Sequence, residues 1–392
     1  MNQDPVVIVA ARRTPLGGFQ GVLSPVKAMD LSAAATRAAL DGCGLDPGAI
    51  DEVILGCVLP AGLGQAPARQ AALAAGLSKN VPCTTVNKVC GSGMKTTTLA
   101  HDLILAGSAN VVVAGGMESM SNAPYLMPKA RAGYRMGHQE ILDHMFFDGL
   151  QNPYDGNMMG HFAEVTAGKY GFSREEQDEF AITSVTRARA AMTEGRFRNE
   201  IAPVIVKTRK GENEVSEDEG PGNVDIERIP TLRPAFKKDG TVTAASSSSI
   251  SDGAATLILM RESDARERGA YVMATIAGHS GFAHEPEWFT TAPVQAINAL
   301  HEKLGWGTDD VALYEINEAF ACVTMAAMKD VGIDHEKVNV NGGACALGHP
   351  IGASGARIIV TLLHALQGRG GGKGIASLCI GGGEAIAVGI EV

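Results

Sequence analysis

Two cysteines and one histidine stand among small residues, and one asparagine stands at a strand-to-helix junction. Cys90 lies in Val89-Cys90-Gly-Ser-Gly93, His349 in Gly348-His349-Pro350, Cys379 in Cys379-Ile-Gly-Gly-Gly383 and Asn317 in Asn317-Glu-Ala-Phe320. A thiol in a turn that opens a helix meets backbone N–H groups and the positive end of the helix dipole. Both favour a thiolate and, later, an oxyanion. An imidazole in a loop this rich in glycine can be a base, a phosphate donor or a plain turn residue. A phosphate loop would need a lysine followed by Ser or Thr after the glycines, and none follows His349. Each residue taken alone also has a structural reading, since free cysteine is commonly a buried small hydrophobe and Asn before a helix commonly an N-cap. Taken together, two thiols, an imidazole and a carboxamide beside glycine N–H groups suit acyl transfer on sulfur. A thioester on an enzyme sulfur exchanges with another thiol and splits one difficult step into two. No HExxH, G-x-S-x-G or complete GxGxxG is present; Gly62-Leu-Gly64 lacks the third glycine.

These groups must be positioned by α/β architecture. Strands are expected at Val6–Ala10, Val53–Cys57, Thr84–Val86 and Val111–Ala114, alternating with helices at Leu31–Leu40, Ala68–Ala75 and Ser92–Ala106. The C-terminal third repeats the alternation. Strands are expected at Val272–Gly278, Leu313–Ile316, Val338–Val340, Ile375–Cys379 and Ala385–Ile390, with helices at Pro293–Leu304, Ala319–Lys329 and Ser354–Leu366. Such alternation implies crossover connections and a mostly parallel or mixed sheet covered by helices. Residues 121–241 differ, with Tyr, Met, Pro and an acidic stretch from Glu212 to Glu219. Their clearest element is the helix opened by Ser173-Arg-Glu-Glu176 and ending near Thr193, with Gly195 beyond. Cys90-Gly-Ser-Gly93 and Gly352-Ala-Ser-Gly355 each enter an apolar helix followed by a strand that ends in glycines, which suggests a duplicated unit.

Composition narrows the function classes. The chain has 392 residues, 45% hydrophobic and 19% charged, so it holds more than one ordinary core. Lys+Arg 33 against Asp+Glu 43 gives a net charge of −10, which argues against nucleic acid as a partner. The apolar run Val6–Ala11 is too short for a signal peptide or a membrane span, so a soluble, cytoplasmic chain without a membrane partner is expected. Seven cysteines without a CxxC pair disfavour a disulfide framework and a metal site.

The four blocks above resemble, in order and spacing, the signature blocks of the thiolase family. The likeness continues through Ala11-Arg-Arg-Thr-Pro15, Gly64-Gln65, Arg69-Gln-Ala71, Gly115-Gly-Met-Glu-Ser119 and Leu232-Arg-Pro-Ala-Phe236, covering nearly the whole chain. The resemblance implies a duplicated thiolase fold, a five-layer αβαβα core with an inserted loop domain. Residues 1–120, completed by about 242–270, would form the N-terminal core half, 121–241 the loop domain for coenzyme A binding and oligomer contacts, and 271–392 the C-terminal half. It also implies acyl-CoA substrates without a resident cofactor, and a homodimer or a homotetramer. The implied reaction condenses two acetyl-CoA into acetoacetyl-CoA and coenzyme A. In it Cys90 is the nucleophile, His349 its base and Cys379 the group that removes the α-proton. His349 and a water held by Asn317 form one oxyanion site, and the N–H groups of Cys90 and Gly381 the other. For the coenzyme's pantetheine arm the resemblance points to Leu150, Met159, Phe236, Ser248 and Phe320, with Ala244 on the wall, and Trp288 and Phe289 bordering the acyl pocket.

The chain departs from the family pattern in three places. Met158 replaces a common histidine, serines replace Asn and Gly around Ser248, and residues 212–227 contain no Lys or Arg. Lys129, Arg131 and Arg135 form a basic group in the insertion, either a solvated or subunit-contacting face or a phosphate site. Three alternatives accompany the main reading: thiolysis of longer 3-ketoacyl-CoA, a decarboxylating ketoacyl synthase, and a non-catalytic acyl-CoA binder. The second thiol, Cys379, argues against the synthase.

Overall fold

The computed structural model describes residues 4–209 and 211–392; Met1–Gln3 of the expected N-terminal half and Lys210 of the expected loop domain lie outside the described residues. Among the described residues, nine strands follow one hydrogen-bonded path. They are β1 (Val6–Arg13), β2 (Glu52–Gly56), β3 (Cys83–Val86), β4 (Val111–Ser119), β5 (Ser251–Arg261), β6 (Ala274–Ala283), β7 (Val311–Ile316), β8 (Lys373–Ile380) and β9 (Glu384–Glu391). The path runs β7-β8-β9-β6-β1-β5-β4-β2-β3, and the two-residue strand Gly17–Gly18 pairs with β5. β4 is buried along its whole length, as a continuous Val-rich run covered on both faces must be.

The two halves share one topology. In the first, β1 pairs antiparallel with β5, β5 antiparallel with β4, β4 parallel with β2 and β2 parallel with β3. In the second, β6 pairs antiparallel with β9, β9 antiparallel with β8, and β8 parallel with β7, which bridges in parallel to Val338. The halves meet where β1 pairs with β6 at Val7↔Thr275 and Ile8↔Ala274.

Helices supply the other three layers. α1 (Ala28–Cys43) and α2 (Pro67–Ala74) cover the outside of the first half. α3 (Ser92–Leu105) and α8 (Ser354–Gly368) pack on each other between the halves; α3 touches β4 and β9, and α8 touches β5 and β8. α6 (Ala292–Leu304) and α7 (Ala321–Val331) close the far side. This is the expected αβαβα order. α8 is apolar almost all round, with Ile358, Ile359, Leu362 and Leu363 fully buried, because a central-layer helix has no solvent face. In the insertion, α4 (Met159–Tyr170) precedes α5 (Arg174–Thr193), and the Ser173/Glu176 capping box is formed in both directions.

One expected strand is not formed. Val338–Val340 contributes only the bridge to Tyr314, because Asn339 takes a positive φ of 47°. Its carboxamide substitutes for the ladder, accepting from Ile316 N and donating to Ile316 O, both at 2.8 Å. Close approach dictates Gly116, where a Cβ would lie 2.0 Å from the Gly352 carbonyl, so the middle layer and β4 meet backbone to backbone.

Arg13 pins the insertion to β1. Its guanidinium donates to Glu200 at 2.6 Å and to both Asp218 oxygens at 2.7 and 2.8 Å, and its side chain is wholly buried. Removing the cation would leave two buried carboxylates without compensation. Arg13→Ala is therefore expected to lower unfolding stability by about 3–5 kcal/mol, read from the denaturant midpoint; an unchanged midpoint would contradict the pinning role.

Candidate active site

Cys90 sits in a strained turn between β3 and α3. Val89, a β-branched residue, has φ 45°, a conformation that persists only where surroundings enforce it. The enforcement is visible. Asn87 Oδ1 accepts from Val89 N at 2.9 Å, while Ser92 Oγ accepts from Lys88 N at 2.9 Å and donates to Val89 O at 2.7 Å. The Cys90 sulfur is half-buried, and the backbone N–H groups of Gly381 and of Cys90 itself favour its thiolate. Burial nevertheless outweighs those donors and pushes the thiol up to about 11.

Cys379, at the end of β8, is fully buried in a cluster with Phe162, Phe289 and Phe320. Burial, reinforced by nearby Cys90, holds its thiol well above the ordinary range. The two turns touch. A Cβ on Gly91 would clash with the Ile380 side chain, and one on Gly381 would contact Val89 and Met159. Lys88 and Glu384 form an ion pair across them.

His349 follows Gly348, whose φ of 106° and proximity to Ser251 admit no side chain. His349 N donates to Ser249 O at 3.0 Å. On the ring, Nδ1 lies 2.6 Å from Ser354 Oγ, which in turn lies 2.9 Å from Pro350 O. A serine hydroxyl has one proton. Given to the Pro350 carbonyl, it leaves Oγ to accept from Nδ1–H, so Nε2 carries the free lone pair. Nε2 is buried and has no partner among the described residues. Desolvation, then the buried Arg357 guanidinium, push the imidazole down to about 3, so it is neutral near pH 7 and able to accept a proton.

Asn317 is fully buried between β7 and α7, and neither its Oδ1 nor its Nδ2 has a hydrogen-bond partner among the described residues. It does not cap the helix; Phe320 occupies the N-cap position. A buried carboxamide left wholly unsatisfied by protein marks a place for a polar guest. The next residue, Glu318, locks this turn to its surroundings by accepting from Ser184 Oγ at 2.7 Å, Asn339 Nδ2 at 2.8 Å and Cys345 N at 3.0 Å.

A mainly apolar cavity of ≈ 190 Å³ is lined by His349 together with Leu150, Met159, Phe236, Ser248 and Phe320. All five expected pantetheine-arm residues therefore share one wall system with the imidazole. Met158 lines it too, at the position where the family commonly has histidine. The walls continue into both thiol environments: Leu150 and Ile351 pack in the apolar cluster against Cys90, Met159 and Phe320 in that of Cys379. Two expected positions fall elsewhere. Ala244 lines an adjoining cavity of ≈ 430 Å³ that shares Ser247 and Ser249 with the first and contains Arg228. Phe289 is buried edge-on against Phe162, behind Cys379, so it backs the thiol and does not line the cavity. Trp288 lies under the Lys169 ammonium. Lys129, Arg131 and Arg135 are exposed and line neither cavity.

Three supporting residues escaped the sequence reading. Glu118, buried in β4, accepts from Val58, Leu59 and Gly352 N–H groups at 2.9, 3.1 and 2.9 Å, joining the His349 loop to the first half. Burial raises its carboxyl to about 7. Arg357 is a lone charge inside apolar α8, and Ser354 stands one turn before it; a charge in a buried apolar run was the available signal.

Comparison with known proteins agrees along the whole chain. Residues 6–263 match the family "Thiolase, N-terminal domain" and residues 270–392 "Thiolase, C-terminal domain". The chain is 50% identical over 385 residues to an acetyl-CoA acetyltransferase of Pseudomonas aeruginosa, covering 98% of each. It is 49% identical over 395 residues to acetyl-CoA acetyltransferase 2 of Arabidopsis thaliana, covering 100% of this chain and 98% of that protein. To an acetyl-CoA acetyltransferase of Allochromatium vinosum it is 47% identical over 393 residues, covering 100% of both.

With the Cys90 thiol raised, the thiolate fraction of the free protein grows as pH rises toward 11. Alkylation of Cys90 by iodoacetamide, followed by peptide mass spectrometry, is expected to climb about tenfold per pH unit from roughly pH 7 to 9. A plateau near neutrality would show a thiolate already formed.

Proposed function

The chain belongs to the thiolase family and is an acyltransferase, and from that premise we propose that it condenses two acetyl-CoA reversibly into acetoacetyl-CoA and coenzyme A through an acetyl-Cys90 intermediate. The tautomer of His349 carries the reading. Its bare Nε2, held by the Ser354 hydrogen bond, suits a base for a thiol that does not ionise unaided.

In the first half-reaction Cys90 Sγ attacks the thioester carbon while its proton passes to His349 Nε2. The departing coenzyme A sulfur takes a proton from Cys379, leaving Cys379 as thiolate. In the second, that thiolate removes the α-proton of another acetyl-CoA. The enolate carbon attacks acetyl-Cys90, and Cys90 leaves as thiolate and recovers its proton from His349. Every proton is returned. The buried surroundings that make Cys379 a weak acid make its thiolate a strong base, which a weakly acidic α-carbon requires. The N–H groups of Cys90 and Gly381 suit the tetrahedral oxyanion, and Asn317 with His349 the enolate. Phe289, closed behind Cys379, supports short acyl groups over long ones.

The exposed apolar side chains Tyr125, Met136, Ile141 and Tyr154 of the insertion support assembly with further copies, as a homodimer or a homotetramer. No helix among the described residues is long and apolar enough to cross a membrane, and all seven cysteines are free, which suits a reducing cytoplasmic setting.

Brief exposure to acetyl-CoA, then peptide mass spectrometry, is expected to place one acetyl group on Cys90, absent in Cys90→Ser. Cys379→Ser is expected to keep acetylation while losing condensation; equal condensation by wild type and Cys379→Ser would refute the division of labour. Ser354→Ala is expected to lower kcat about 10–100-fold with KM little changed, and Ser354→Thr to restore much of it. Loss of binding alone would reassign Ser354 to a structural role.

A further inference from the structure

The helix that opens at the Cys90 turn carries, toward its other end, a cluster the acyl chemistry does not use. His101 and Asp102 of α3 meet His279 of β6. Asp102 Oδ1 lies 3.0 Å from His101 Nδ1 and 2.9 Å from His279 Nε2. All three donor atoms fall within 4.8 Å of one another. The rings stand edge to face at 88° with centroids 5.3 Å apart, so their nitrogens approach one carboxylate oxygen from different directions.

We infer that this cluster binds a divalent transition-metal ion of the zinc class, through two imidazole nitrogens and one carboxylate oxygen, with water completing the shell. Tetrahedral metal–ligand bonds of about 2.1 Å place neighbouring donors about 3.4 Å apart, and the two Asp102–His separations of 3.0 and 2.9 Å need to open only slightly to reach it. The imidazoles are mostly sheltered, at 12% and 21% side-chain exposure, while Asp102 at 53% leaves an entry path. Lys303, whose ammonium donates to the His279 carbonyl at 2.8 Å, opposes a second cation. The one carboxylate is formally cancelled by that charge, leaving no net negative charge for a hard ion such as calcium or magnesium, so the site selects an ion held by nitrogen bonding.

An ion here would join the first half to the second. Among the described residues the sheet links these halves only through the short β1–β6 pairing, and α3 carries the nucleophile's turn. The site lines neither ligand cavity, so its effect is on stability.

The test is titration of the purified full-length protein with Co²⁺ in a non-chelating buffer, followed by visible absorption and thermal unfolding. Saturable uptake of one ion with weak d–d bands, no thiolate charge-transfer band and a raised unfolding midpoint is the expected result. His279→Ala and the isosteric Asp102→Asn should each weaken uptake at least about tenfold, with unchanged far-ultraviolet dichroism. Absence of saturable uptake, uptake unaffected by both substitutions, or a charge-transfer band showing cysteine ligation would overturn the assignment.

Discussion

A neutral imidazole held at one nitrogen and bare at the other is the constraint on which this site rests. His349 is buried, so charging it is costly; Arg357 adds positive potential beside it, and Ser354 fixes which nitrogen keeps the proton. Each condition has its own structural support. Gly348 provides the backbone path, Glu118 holds the loop at Gly352, and the middle-layer helix α8 presents Ser354 and Arg357 from its first turns.

The two sulfurs share an element type and differ in surroundings. Cys90 stands at a half-open turn where backbone N–H groups favour negative charge, an environment that tolerates bond formation and a transient oxyanion. Cys379 is packed among aromatic rings, where a thiolate is poorly solvated and therefore basic. Chemistry that needs both a nucleophile and a base can thus use the same residue type twice. Packing sets the difference.

Much of this was legible in the residues. Apolar runs next to glycines placed most strands and helices, because a buried strand needs continuous Val and Ile and its exit needs a turn. Cys90, His349 and Cys379 stood out because chemistry-bearing side chains rarely sit in glycine loops without cause, and Asn317 because it stands where a strand hands over to a helix. What stayed hidden depended on distant partners. β5 was not marked as a strand, since Ala254–Met260 is an apolar run whose periodicity does not separate strand from buried helix. Asn339 replaced a ladder with its side chain, an exchange invisible until Ile316 is placed beside it. Ala244 is expected on the wall of the pantetheine channel and Phe289 at the border of the acyl pocket, but the pocket's shape, which linear order does not encode, puts Ala244 in the next chamber and Phe289 behind a thiol.

The matching strand orders of the halves have a consequence for how such a centre arises. The turn after β3 and the loop after the Val338 bridge occupy equivalent places in the two copies, as do the ends of β4 and β8. The first pair gives Cys90 and His349; the second gives Glu118 and Cys379. An ancestor made of two identical subunits would have presented the same side chain at both members of each pair, thiol facing thiol or imidazole facing imidazole. Fusion into one chain removed that symmetry requirement and let each position specialise, so that the four positions could carry different side chains and surroundings about a single cleft.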